Sequence, residues 1–402
     1  MKINLASLIL LVFLFHSSLF FFGEFLNEYF LLYGIPSLII TLTKIVFISL
    51  SLLVFVVRLS KKELLTVFAF LYIPLSSFLF TDNKALAFYY NLNSLSVISF
   101  YFLIVAHYRN SGDIKSLAKT FIMLSVTFAI FSFCVDFFEI KRNIPNMFER
   151  SYHCGESYSF RWCGVTQNPN LLAIHSAFFL LFSMFFYRYY KNNKIIFFFS
   201  MVLQLVLITM SMSRAVIGFL ILTFLLYFIF GVGVARKVKY ISTFVLLSCF
   251  LYLNSSINFD SNENELASNL VSRIDDSSNS VRYNLMKGGL ETFYDNPFFG
   301  IGYNLEPPLS QYVPGWNKQV DSFYINMLYT QGAFISCLYF FILFNYMIKS
   351  YGIENKYIFI LGLSYASLLF VEDHFFKTPF FWTLLAFLTI YKEKFRYEYL
   401  RG

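Results

Sequence analysis

The chain has 402 residues, 58% of them hydrophobic and only 13% charged, and phenylalanine alone occurs 55 times. Average soluble domains carry about 25% charged residues. A soluble core of this size cannot hide so much apolar surface, so a soluble protein is excluded and the bulk solvent is lipid. The net charge of +8 includes no basic run longer than Arg236-Lys237-Val238-Lys239, so it reads as an orientation signal and not as a nucleic-acid footprint.

A membrane-spanning helix needs about 20 apolar residues. That rule predicts twelve spans, at roughly 3–22, 37–57, 64–80, 85–105, 117–137, 170–187, 195–210, 215–233, 240–253, 322–347, 357–371 and 378–391. The fold class is therefore all-α, a polytopic helical bundle. Residues 3–22 are apolar for too long to be a signal-peptide core, and no small-residue cleavage site follows. The block from Lys194 to Val234 is too long for one helix and should break near Ser211-Met212-Ser213-Arg214.

Basic residues set the orientation. Nineteen of them fall on one side of this arrangement, from Lys2 through Arg58, Lys61, Lys62 and the later loops to Arg401. The short loops of the other side carry few. Both termini are expected in the cytoplasm. Three regions follow: spans one to nine in 1–253, an outward loop at 254–320, and spans ten to twelve with a cytoplasmic tail in 321–402. A second outward loop covers 138–169. Cys154 and Cys163 both lie in it, and a disulfide between them suits an oxidising compartment, with two free thiols as the alternative. The chain has no CxxC motif, so no zinc site is expected.

The long outward loop is the one extended polar run. Residues 254–279 read as irregular. A helix is expected from Ser280, a good N-cap, to about Tyr294, where Asp295-Asn296-Pro297 stops it. On a wheel of about 100° per residue, Val281, Leu285, Met286, Gly289, Leu290 and Phe293 share one half with Arg282 at its centre. A guanidinium there faces protein or lipid and needs an anionic partner. The structural alternative pairs it with Asp275 or Asp276. Phe298-Phe299-Gly300-Ile301-Gly302-Tyr303 reads as a re-entrant turn, with glycines where the backbone reverses.

Arg214 has no carboxylate within twenty residues on either side. An arginine at membrane depth costs about 2.5–3.5 kcal/mol on insertion scales and faces a bundle interior or a water-filled cavity. Either it snorkels to the headgroups, or it belongs to an anion site, where its fork suits a phosphate. Arg161, beside Trp162, is a third candidate cation. His153, Asp373 and His374 also fall outside, and lone histidines are more often structural.

Four local patterns resemble the O-antigen polymerase and ligase family (Wzy and WaaL). They are Gly164-Val165-Thr166-Gln167-Asn168-Pro169-Asn170, Ser211-Met212-Ser213-Arg214, the stretch from Ser280-Val281-Arg282 to Asn296-Pro297-Phe298-Phe299-Gly300-Ile301-Gly302, and Asp321-Ser322 with Gly332. They cover roughly 160–335 in the family's order. The resemblance implies an integral glycosyltransferase with a GT-C-like bundle of about twelve transmembrane helices and a large periplasmic loop containing short helices. It would lie in the bacterial inner membrane, with undecaprenyl-pyrophosphate-linked oligosaccharide as substrate and a chain-length regulator and a flippase as partners. Arg214, Arg282 and Arg161 would hold the pyrophosphate, and no cofactor or metal is required.

The chemistry agrees with the residues. A lipid pyrophosphate brings its own leaving group, and fixed guanidinium groups stabilise the charge that develops on it. There is no DxD motif, so metal-dependent transfer lacks support. The ligase pattern begins with a histidine that precedes the glycine. Here Asp321 stands in its place, which favours a polymerase over a ligase. Asp321 would act as general base for the acceptor hydroxyl, or simply cap the helix. A flippase or other transporter is the alternative from another class, but it would favour midplane charges and repeated halves, and neither is visible.

Overall fold

The computed structural model describes residues 5–32, 38–56, 84–138, 140, 161–166, 168–187, 194–211, 213–231, 278–302, 309, 312, 320, 322–351, 356–372 and 378–401. Among them are eleven helices and no strand. The helices are α1 (Leu5–Leu32), α2 (Leu38–Val56), α3 (Lys84–Ser111), α4 (Ile114–Phe137), α5 (Pro169–Tyr187), α6 (Lys194–Ser211), α7 (Arg214–Gly231), α8 (Ser278–Asp295), α9 (Phe323–Tyr351), α10 (Lys356–Leu368) and α11 (Phe380–Arg401). Five are long and apolar enough to cross a membrane, and four shorter apolar helices accompany them. The protein is an all-α polytopic membrane protein. The expected spans at 64–80 and 240–253 lie outside the described residues.

Local chemistry sets several boundaries. Asp113 caps α4, its carboxylate accepting from the backbone N–H groups of Lys115 at 2.7 Å and Ser116 at 3.3 Å; such a cap is worth about 1 kcal/mol. Pro169 opens α5, where its missing N–H costs nothing, and the Asn168 side chain accepts from Asn170 N–H at 2.8 Å. The apolar block after Lys194 breaks between Ser211 and Arg214. Helix α8 begins two residues before the expected Ser280 and ends one residue after Tyr294.

Helix α5 forms the centre of the bundle. Phe178 and Phe182 pack against Phe121 of α4 and Phe380 of α11. The outer faces are equally apolar: Ile195 is 82% exposed, Phe198 64% and Ile221 58%. Lipid is as apolar as these side chains, so burial alone does not hold such helices together. Close packing and buried polar stitches contribute instead. Ser125 of α4 bonds Ser200 of α6 at 2.6 Å, and Gln204 of α6 donates to the Ser125 carbonyl at 2.8 Å. The Tyr357 hydroxyl of α10 donates to the Leu181 carbonyl of α5 at 2.9 Å. Bonds of this kind are worth roughly 0.6–2 kcal/mol each in membranes.

Helix α9 departs from expectation. Residues 322–347 read as one span, yet the segment is two helical arms, 323–331 and 333–351, folded at Gly332 (φ 71°, ψ 177°). The Phe323 and Tyr339 rings lie 6.4 Å apart and those of Tyr324 and Phe340 5.4 Å apart. In a straight helix those pairs would be about 24 Å apart at 1.5 Å per residue. The arms are therefore antiparallel. The second arm runs back along α10, where the Tyr346 hydroxyl donates to the Ile358 carbonyl at 2.9 Å.

Folding at Gly332 frees backbone groups that a continuous helix would pair. The segment after α8 takes them up. The N–H groups of Ile301 and Gly302 donate to the carbonyls of Tyr329 (2.9 Å) and Thr330 (2.8 Å), and Ala333 N–H donates to the Pro297 carbonyl at 2.7 Å. Gly300 and Gly302 both have positive φ, as the expected reversal requires.

Candidate functional site

One end of the bundle gathers the close of α4, the start of α5, the α6–α7 break, the close of α10 and the start of α8. Short bonds fix these pieces to one another. Trp162 N–H donates to the Met210 carbonyl at 3.0 Å, Gly164 N–H donates to the Asp136 carboxylate at 2.5 Å, and Phe323 N–H donates to the Leu369 carbonyl at 3.0 Å. Gly164 must be glycine. Its φ is +54°, and a Cβ there would come within 2.6 Å of Ser132 Cβ and 2.8 Å of Leu172 Cδ1.

Through this end runs a chain of charged and polar side chains. Arg161 Nε donates to the Ser211 carbonyl at 2.9 Å, and its Nη2 donates to Asn170 Oδ1 at 3.0 Å. Asn170 Nδ2 donates onward to Glu372 Oε1 at 3.4 Å. Arg282 Nη2 approaches the same oxygen at 3.8 Å. The Glu372 side chain is 7% exposed and that of Arg282 39%. One carboxylate thus sits between two guanidinium groups carried by distant parts of the chain. Guanidinium forks suit phosphate oxygens.

The candidate residues fare differently. Arg161 and Arg282 come together through Asn170 and Glu372. Arg214 begins α7 and is exposed, three positions after the Ser211 carbonyl that Arg161 holds, while Ser211 and Ser213 are buried. Arg161 is tied through Asn170 to the carboxylate beside Arg282. Asp321, Cys154, Asp275 and Asp276 lie outside the described residues. Cys163 is fully buried and disulfide-bonded.

Arg282 also sits differently on its helix. The buried face of α8 runs through Leu285, Gly288, Gly289 and Thr292, and Leu290 is 37% exposed. Arg282 is on the flank of that face, about 60° from Leu285 at 100° per residue, and not at its centre. The glycine pair explains the rotation. A Cβ on Gly289 would meet Ile325 Cγ2 at 2.7 Å, and one on Gly288 would run into the Tyr312 ring. Neighbouring chain packs where side chains would otherwise stand, and the arginine at the edge reaches Glu372.

Two features escaped the sequence reading. Glu372 is the anion that Arg282 reaches. Gln331, beside the fold in α9, is 2% exposed, with neither amide atom hydrogen-bonded. A buried amide in that state calls for a water or a ligand group. No cluster of three metal-ligating side chains occurs among the described residues.

A family model described as O-antigen ligase matches residues 199–340. Over that stretch the chain is similar to the O-antigen ligase family. The match runs from α6 to the second arm of α9 and includes Arg214, Arg282, the turn at 296–302 and Gly332. The match supports a Wzy/WaaL-like reading and does not separate polymerase from ligase. A search among curated proteins found no match.

Proposed function

We propose that the chain is an O-antigen polymerase of the inner membrane. It transfers a growing glycan from undecaprenyl pyrophosphate onto a new lipid-linked repeat unit. Both termini are cytoplasmic in this reading, and the Arg161–Glu372–Arg282 end of the bundle faces the periplasm. The observation that carries the reading is the pair of guanidinium groups joined through Asn170 and Glu372 beside the Ser211–Arg214 break. Arg161, Arg282 and Arg214 grip the diphosphate of the donor. An oxygen of the acceptor sugar bonds to the anomeric carbon, the bond from that carbon to the diphosphate breaks, and the leaving charge falls on oxygens the arginines stabilise. The acceptor proton passes to Asp321.

A ligase that moves finished glycan to lipid A–core is the second reading, favoured by the description of the matching family. Asp321, where the ligase pattern has histidine, favours the polymerase. The lipopolysaccharide of a deletion strain tests the choice. A polymerase mutant leaves core bearing a single repeat. Core with no repeat at all would point to the ligase, and unchanged long chains would refute both.

A further inference from the structure

Phe298, Phe299 and Phe334 form a cluster at the tip of the α9 fold. They are 60%, 53% and 64% exposed. The Phe334 ring lies 5.9 Å from that of Phe298 and 6.0 Å from that of Phe299. Exposed aromatic clusters of this kind mark an interaction surface. We infer that this tip is embedded in the bilayer, so that the segment after α8 dips into lipid and the Arg282–Glu372 pair lies below a lipid-bound rim.

Three observations commit the cluster to acyl chains rather than to a protein partner. First, the cluster continues a stripe. Phe334, Cys337, Phe341, Phe344, Ile348 and Tyr351 are exposed along one face of the second arm of α9, and Phe341 and Phe344 exceed 60% exposure. That spacing is one helical face, and on a polytopic helix it is the face turned to lipid. Second, the arm 333–351 rises about 28 Å at 1.5 Å per residue, close to the ~30 Å hydrocarbon thickness. It spans only if its start, next to the Phe cluster, is in the membrane. Third, the backbone exchange between 297–302 and 329–333 satisfies the groups that a turn in lipid could not leave open. No charged side chain occurs in 296–302 or 323–336. Asp295 and Asn296 are exposed at the foot of the turn, which sets the tip at the hydrocarbon boundary and not at the midplane.

The neighbouring helix fixes the depth of the charged pair. Helix α10 has 13 residues, about 20 Å, and Phe323 N–H bonds Leu369 at its end. Tyr339 packs at the level of Phe323. The second arm of α9 therefore extends about 9 Å past the level of Leu369 at 1.5 Å per residue, and Glu372, three residues on, lies recessed beneath the Phe cluster. This inference rests on the membrane fold and not on the glycosyl-transfer reading.

The test is a depth measurement in reconstituted liposomes. A nitroxide is placed at Phe298→Cys in a Cys134→Ser, Cys337→Ser background, with the signal of that background subtracted. Collision rates with oxygen and with a water-soluble nickel chelate are compared with those of Phe344→Cys, a lipid-facing control, and Lys287→Cys, an exposed polar control. The expected oxygen-to-nickel ratio at 298 is close to that at 344 and well above that at 287. A ratio at 298 matching that at 287 would overturn the inference. Phe334→Cys, on the rigid second arm, repeats the measurement from the other side of the cluster, and a water-like ratio there would overturn it equally.

Discussion

Glu372 shares one carboxylate oxygen between Arg282, 3.8 Å away, and the amide of Asn170, 3.4 Å away. The ion pair is largely buried on the glutamate side. Removing only the arginine takes a counter-charge from a buried carboxylate, whereas removing both charges does not.

Arg282→Ala should therefore lower the amount of protein in the membrane as well as abolish long glycan chains. The stability loss is of order 1–2 kcal/mol, discounted because the arginine side is partly solvated. Arg282→Ala with Glu372→Gln should restore abundance but not chain length. Quantitative blotting of membranes beside a lipopolysaccharide gel separates the two effects. Long chains in the double variant would remove the arginine from the proposed site.

Arg161 makes two directed bonds, to Ser211 and to Asn170, from different nitrogens of one planar group. Lysine cannot reproduce that fork. Arg161→Lys should keep the protein in the membrane, losing about 1 kcal/mol for one net hydrogen bond, while chain length collapses. Normal chain length would reduce Arg161 to a structural brace.

Gly332→Ala should be among the most damaging small substitutions. At φ 71° an added Cβ would land on the Phe298 carbonyl, and both the strain and the lost backbone exchange count against it. Gly218→Ala is the control, since nothing lies within 4 Å of a Cβ there and alanine favours the helix by up to about 1 kcal/mol. Thermal aggregation of the detergent-solubilised proteins should show a lower midpoint for the first and an equal or higher one for the second.

Asp321→Asn keeps the size and most of the capping ability of the side chain but cannot take a proton. The expected outcome is a slower polymerisation rate in membrane vesicles at unchanged protein level. An unchanged rate would leave Asp321 as a helix cap.

Arg214→Ala should leave the protein in the membrane and remove long chains, because Arg214 is exposed at the start of α7. Normal banding on the gel would return it to a headgroup-facing role.

Much of this could be read in the residues. The polytopic helical class follows from apolar length, and the break at Ser211–Arg214 follows from a block too long for one helix. The reversal at Gly300–Gly302 follows from glycine chemistry. Glu372 could not be found in that way. Acidic residues after an apolar stretch, here Glu372-Asp373, carry little orientation signal, and the partner Arg282 belongs to another part of the chain. The fold at Gly332 was hidden for a related reason. The apolar pattern runs on through both arms, so one glycine within it reads as part of a single span. What bends the helix is hydrogen bonding from residues 297–302, a contact without sequence periodicity. The offset of Arg282 from the centre of its helical face arose likewise, because Gly289 admits α9 and Gly288 admits the Tyr312 ring on a side that hydrophobicity alone does not choose.

The exchange of backbone partners between 297–302 and 329–333 also constrains how such a protein can diverge. Neither stretch completes its own ladder, so each is the template for the other. The two stretches must therefore change together, and an inserted residue in either template must be answered by a compensating change in its counterpart.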